Sequence, residues 1–167
     1  MLIHPTLEKL EQMRLRGMSA ALRDQLEMPD IDDMSFMDRL GLMIDHEEAV
    51  RGDRRLARRL KTAQLRIQAS MANLDYRAAR GLDKRVMLQL ATCQWIRRQQ
   101  NVIITGPTGV GKSYVACALA HKACLENFKV QYTRLSRLLD SLQIAREDGF
   151  LSQGDETALP HGCVDSG

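Results

Sequence analysis

The chain has 167 residues, 44% of them hydrophobic and 27% charged, and a formal net charge of +3. That length suits one domain with a small appendage, and the balance excludes a fibrous repeat and wholesale disorder. No apolar run approaches the roughly 18 residues that a membrane span needs. Met1-Leu2-Ile3-His4-Pro5 lacks the basic head and apolar core of a secretory leader.

Charge is unevenly spread. Residues 1–50 hold five Lys/Arg against eleven Asp/Glu, residues 51–98 hold thirteen against three, and residues 99–167 hold six against seven. The start is acidic, the middle basic and the end nearly neutral. Cys93, Cys117, Cys124 and Cys163 form no CxxC pair and no His lies at metal spacing, so a reduced cytoplasmic protein with structural thiols is expected. Seven aromatic residues are few for a module that stacks single-stranded bases.

Leu7, Leu10, Met18, Leu22 and Leu26 recur at helical spacing, so residues 5–27 read as one helix with Pro5 in its first turn and Pro29-Asp30 as its breaker. Ser35 and Asp38 resemble a capping box with Asp in place of Glu. A second helix follows, carrying Phe36, Leu40, Met43 and Ile44. A third, over 51–69, sets Leu56, Leu60, Ala63 and Ile67 on one stripe. Its other faces hold Arg51, Arg54, Arg55, Arg58, Arg59, Lys61 and Arg66, with only Asp53 opposing them up to residue 66. Cations this dense exceed what i,i+4 pairing neutralises, so a DNA phosphate footprint that ignores base sequence is expected. The acidic 24–48 segment, in the same or another subunit, is the alternative partner. Residues 73–76 look like a loop, and 83–98 read as a fourth helix with Val86, Leu90 and Cys93 on one stripe.

The grammar then changes. Residues 101–105 are a β-branched run that predicts a buried strand. A glycine-rich loop follows, then a helix from about 113 to 126, a second strand at 130–133 and an amphipathic helix ending near Gly149. This order begins an α/β domain. Residues 1–75 are assigned to a helical N-terminal domain, 76–150 to a partial P-loop domain, and 151–167, which carry no period, to a disordered tail.

Gly106-Pro107-Thr108-Gly109-Val110-Gly111-Lys112-Ser113 fits GxxxxGK[ST] in full. A polyphosphate is a concentrated anion. Glycines let successive backbone N–H groups turn inward and approach it closely. A helix starting at Lys112 aims its positive dipole end at the phosphates. Lys112 supplies a point charge to the β- and γ-phosphates, and the Ser113 hydroxyl is positioned to ligate Mg²⁺. ATP and Mg are therefore the expected ligands. Hydrolysis needs in addition an apolar strand ending in an acidic residue. Asp140, Asp148 and Asp155-Glu156, the candidates downstream, do not follow such a strand.

The acidic Leu/Met-rich start, the Arg-rich helix, the run Asn73-Leu74-Asp75-Tyr76 through Arg80-Gly81-Leu82-Asp83, the phosphate loop and Ala116-Cys117-Ala118-Leu119-Ala120 behind it together resemble the IstB/DnaC-like AAA+ helper ATPases of bacterial insertion sequences, over about residues 1–150. That resemblance implies a three-layer α/β AAA+ fold behind a helical domain. It also implies ATP-dependent DNA binding, possible homo-oligomers and stimulation of the transposase of the same element. By the same resemblance, Tyr76, Gly81 and Leu82 approach the adenine.

Ser113-Tyr114 replace the family's usual Thr-His, which keeps the metal hydroxyl. The Walker B strand, sensor and arginine finger have no counterpart, so the fold is expected to be an incomplete, C-terminally truncated P-loop domain with exposed apolar surface, and the chain to be hydrolysis-defective. Two other readings stand beside it: a DnaC-like helicase loader, and a non-enzymatic helical interaction module with a vestigial nucleotide site.

Overall fold

The computed structural model describes residues 5–77, 81–147 and 161–165. The chain divides into two compact units, Met1–Ala57 and Arg58–Gly167. The division falls inside a helix and earlier than residue 75, where the sequence pattern changes.

In the first unit α1 spans Pro5–Gln12 and α2 spans Arg16–Glu27. The single helix expected over 5–27 is broken at Arg14, whose φ is 61°. Arg14 N–H donates to the Glu11 carbonyl (2.9 Å) and Leu15 N–H to the Leu10 carbonyl (2.8 Å), a left-handed helix end without glycine. The break lets α2 fold back on α1 and bury Leu7, Ser19 and Ala21. Ser35 then caps the next helix. Its hydroxyl accepts from Asp38 N–H (3.2 Å), the Ser half of the expected box, while the Asp38 carboxylate accepts from that hydroxyl (2.6 Å) where a full box would take the Ser35 N–H.

Helix α3 runs without interruption over Phe36–Ala63, where two helices were expected. Gly52 is a weak breaker, costing about 1 kcal/mol in a helix interior. The Arg51 guanidinium, bonded to Glu47 one turn earlier (2.7 Å), supports the helix through this stretch. Phe36 and Ile44 stay exposed, while Leu40 and Met43 are half-buried.

In the second unit the end of α3 carries the fully buried Ala63, and Gln64 (φ 49°) terminates it. A short 3₁₀ turn, Met71–Asn73, is capped by Ser70. Helix α4 spans Lys84–Ala91 under an Asp83 cap, and α5 spans Gln94–Arg97. The helix expected over 83–98 is thus split by Cys93 in the left-handed region. Its buried stripe starts at Met87, with Val86 exposed. Helix α6, Lys112–Leu125, forms the centre of this unit. Cys117, Ala118, Leu119, Ala120, Ala123 and Cys124 are all buried, so it is apolar nearly all round, as a helix enclosed by its neighbours must be. Two clusters meet on it: Ala69, Cys117 and Ala118 on one side, and Leu74, Met87 and Leu119 on another.

Strand β1 (Val130–Arg134) is followed by α7 (Leu135–Glu147). β1 pairs in parallel with β2 (His161–Asp165), Val130 opposite His161 and Arg134 opposite Asp165. This corrects the expectation of a disordered tail for residues 161–165. A strand with little period of its own is formed here by the ladder that β1 offers. Residues 148–160 and 166–167, including Asp148 and Asp155-Glu156, lie outside the described residues, as do 78–80.

Residues 101–105 are not a strand, and Ile103 is 85% exposed. A strand needs a lateral partner for its N–H and C=O groups, and among the described residues the sheet is the β1–β2 pair alone. The three-layer α/β sandwich implied by the resemblance is not formed by these residues. The expected exposed apolar surface on this part is present at Ile103, Leu135 and Leu139.

Candidate nucleotide site

The loop 106–111 joins an extended segment to the N-terminus of α6. Gly106 (φ 150°), Gly109 (φ 87°) and Gly111 (φ 92°) all have positive φ. At Gly109 the structure leaves room for a Cβ, so the need for glycine there is one of backbone dihedral rather than space. Gly111 precedes the 14-residue α6 and, having no side chain, gives it no side-chain cap of its own. Glycines at positive φ leading into a helix N-terminus are the backbone pattern of an anion cradle.

Lys112, the first residue of α6, folds its ammonium back over the loop. Nζ donates to the Gly106 carbonyl (3.0 Å) and the Pro107 carbonyl (2.9 Å). Among the described residues the charge is held over the loop without a carboxylate partner, the arrangement a phosphate can exploit by replacing two neutral acceptors. Ser113 is the next residue of α6, where a hydroxyl beside bound phosphate would suit Mg²⁺.

A cavity of about 390 Å³ adjoins the loop. Val110, Gly111 and Lys112 line one part of it, and Gly106, Pro107, Thr108, Gly109 and Ser113 are not in its wall. The remainder is formed by Asn73, Leu74, Asp75, Gly81, Leu82, Ile104, Thr105, Tyr114 and Val115. Of the three residues that the resemblance brings near the adenine, Gly81 and Leu82 line this cavity and Tyr76 does not. Tyr76 packs against the Leu74–Met87–Leu119 cluster, with Lys84 Nζ 6.0 Å from its ring centre. Asn73 and Asp75 carry part of the family resemblance and read as loop residues in the sequence, but no site role was expected of them.

The seven basic residues separate by what they touch. Arg51 is bonded to Glu47, and Arg59 Nε donates to the Cys124 carbonyl at the end of α6 (2.9 Å), a cation satisfying a helix C-terminus. Arg66 is exposed and already engaged in an interaction. Arg54, Arg55, Arg58 and Lys61 are exposed on α3. Cys93, Cys117 and Cys124 are free and buried. Burial pushes the Cys93 and Cys124 thiols up, the former helped by the Glu126 charge and the latter opposed by Arg59, so neither is poised as a nucleophile. β2 closes on Asp165, an acidic strand end that sequence reading overlooked because only Cys163-Val164 precede it as apolar residues. No helix among the described residues is long and apolar enough to cross a membrane.

The chain is 46% identical over 150 residues to "Insertion sequence IS1162 putative ATP-binding protein" of Pseudomonas fluorescens, covering 89% of this chain and 65% of that protein. It is 45% identical over 149 residues to "Putative insertion sequence ATP-binding protein y4pL" of Sinorhizobium fredii, covering 89% and 61%. The chain thus matches less than two thirds of the length of these relatives. The profile of the family described as IstB-like ATP binding protein matches residues 8–159, and the chain belongs to that family.

Proposed function

We propose that this chain binds Mg-ATP through residues 106–113 and serves as the ATP-binding helper of an insertion-sequence transposase. The observation that carries the reading is the loop itself: three glycines at positive φ leading into the N-terminus of α6, and the Lys112 ammonium folded over them onto the Gly106 and Pro107 carbonyls. The relatives' names, insertion-sequence ATP-binding proteins, point to the same role. Titration of a ribose-labelled fluorescent ATP analogue tests it. Lys112→Ala weakens binding by about tenfold or more, since it removes the one charge-assisted contact from the loop. Equal curves for parent and variant would overturn the assignment.

DNA is the proposed second ligand. Arg54, Arg55, Arg58 and Lys61 form the footprint, because Arg51 and Arg59 already spend hydrogen bonds on protein groups. Contacts to phosphate make log K fall with log salt by about 0.9 for each phosphate neutralised. The slope should drop by about that amount for each of the four replaced by alanine. A salt-independent affinity refutes the footprint.

Turnover is proposed to be absent from this chain alone. Downstream of Ser113 no run of several apolar residues leads into paired acidic residues, and orientation of the attacking water requires such a carboxylate. The transposase of the same element is the proposed partner, and retention of that transposase rather than a replicative helicase in a pull-down checks it.

A further inference from the structure

We propose that Asn73 is the specificity-determining residue of the nucleotide site and selects adenine by its N6 and N7 edge; the inference rests on the nucleotide reading above. The cavity wall carries side chains and backbone of two chemical kinds. Val110, Gly111 and Lys112 offer backbone and charge for phosphates. Leu74, Leu82, Ile104 and Val115 offer apolar walls suited to a flat ring, with Asn73 beside them.

Asn73 is held firmly by its backbone and left free by its side chain. Its N–H donates to the Ser70 carbonyl (3.1 Å), and the Ser70 hydroxyl caps the turn by accepting from Ala72 N–H (3.3 Å). The next residue, Leu74, is buried against Met87 and Leu119 and anchors the turn to α4 and α6. The Asn73 amide makes no hydrogen bond with another described residue. Asp75 differs, since its carboxylate is already accepting from Arg77 N–H (2.8 Å). A pinned backbone carrying an unspent amide at an apolar wall is a preorganised reader.

The amide presents a donor and an acceptor side by side. Adenine presents their complement, the N6 amino donor next to the N7 acceptor. Guanine presents two acceptors there, O6 and N7, so one of them would face the amide oxygen. A site built to pair with a donor rejects the base that lacks it because a polar group is then left unmatched.

The test is competition of unlabelled ATP, GTP and 7-deaza-ATP against the ribose-labelled analogue on the full chain. In the parent, ATP should bind about tenfold more tightly than either GTP or 7-deaza-ATP, the lower end of what a bidentate amide pair discriminates on a solvent-facing wall. Asn73→Ala should bring all three within about twofold of one another, with GTP affinity unchanged. Asn73→Asp, of the same shape, keeps the acceptor for N6 but loses the N7 donor, so ATP and 7-deaza-ATP should become equal while GTP stays weaker. Lys112→Ala should weaken all three alike. Retention of the parental ATP-to-GTP ratio by Asn73→Ala overturns the assignment while leaving the nucleotide site intact. Failure of every triphosphate to displace the probe from the parent overturns the nucleotide reading and this inference together.

Discussion

Gly17 and Glu47 are locked together: the Glu47 carboxylate accepts from Gly17 N–H (2.6 Å) and Met18 N–H (3.1 Å), and so caps the start of α2 from thirty residues away in the chain. Leu15, the residue before α2, supplies no side-chain cap of its own. A Cβ added at Gly17 would stand 2.6 Å from the Glu47 Cα and 2.9 Å from its backbone N, so the two helices meet where only glycine fits. Gly17→Ala should therefore destabilise, by about 1–3 kcal/mol, although alanine is the better helix former by about 1 kcal/mol. Urea midpoints of the two proteins decide it. A more stable alanine variant would mean that α2 and α3 do not approach here.

The same carboxylate sets a pH dependence. Burial alone would raise the Glu47 pKa. The Arg51 hydrogen bond, the Met18 and Gly17 amides and the Arg51 charge outweigh it and hold the group below its ordinary value of 4.5. A carboxyl that ionises more readily when folded contributes stability that is complete above that ordinary value. The contribution is lost as pH falls through the lower folded value, because there the unfolded chain binds the proton first. Urea midpoints should thus fall with acidification below about pH 4.5 in the parent. Glu47→Gln should lose about 1–2 kcal/mol at neutral pH and show a shallower acid limb. Parallel acid limbs would place the titration on another carboxylate.

The Ser35 cap and the glycine loop leading into α6 were legible in the sequence because both are local. Ser35-x-x-Asp38 and Gly106 through Ser113 carry their geometry within eight residues. What escaped was set by distance. Arg14 ends α1 because α2 must return along it, and nothing in Met13-Arg14-Leu15 announces a left-handed residue. Residues 101–105 have a strand's composition, yet no lateral partner reaches them among the described residues. His161–Asp165 have almost no strand pattern, yet pair with β1. Pairing partners, not propensity, decided both cases. Asn73 was missed because an exposed turn asparagine looks the same whether or not a cavity lies beside it.

Arg58 and Arg59 are neighbours with opposite assignments. Arg59 is half-buried and bonded to the Cys124 carbonyl at the end of α6. Arg59→Ala should cost about 0.5–1.5 kcal/mol of stability. Arg58 is exposed, and Arg58→Ala should leave stability within about 0.5 kcal/mol while lowering the salt slope of DNA binding. Thermal melts and DNA titrations on both variants give the comparison. Equal stability losses would show that the Arg59 contact contributes nothing.

Ile103 tests the conformation of the segment before the loop. In a buried central strand, Ile→Ala costs about 2–5 kcal/mol. With the side chain 85% exposed, Ile103→Ala should change stability by less than about 0.5 kcal/mol. Cys117, buried at the centre of α6, provides the contrast. Enlarging it with Cys117→Leu should destabilise by about 1–3 kcal/mol, because a packed interior has no room for the extra carbons. A large loss at Ile103 in the same denaturant series would restore the strand.

The last prediction concerns turnover. β2 ends on Asp165 in parallel with β1, and an acidic residue at the end of a parallel strand is the kind of group that fixes a metal-bound water in phosphate-loop enzymes. Only Cys163 and Val164 precede it as apolar residues, and 101–105, which leads into the phosphate loop, is not a strand of the same sheet. A carboxylate contributes to phosphoryl transfer only when it is held in register with the phosphates, and a displacement of about 1 Å already costs on the order of 100-fold. Among the described residues no shared sheet supplies that register. Phosphate release by the parent should therefore equal that of Lys112→Ala and of Asp165→Ala under saturating Mg-ATP. Release by the parent above both controls would assign Asp165 to catalysis and end the reading of this chain as a nucleotide-holding module.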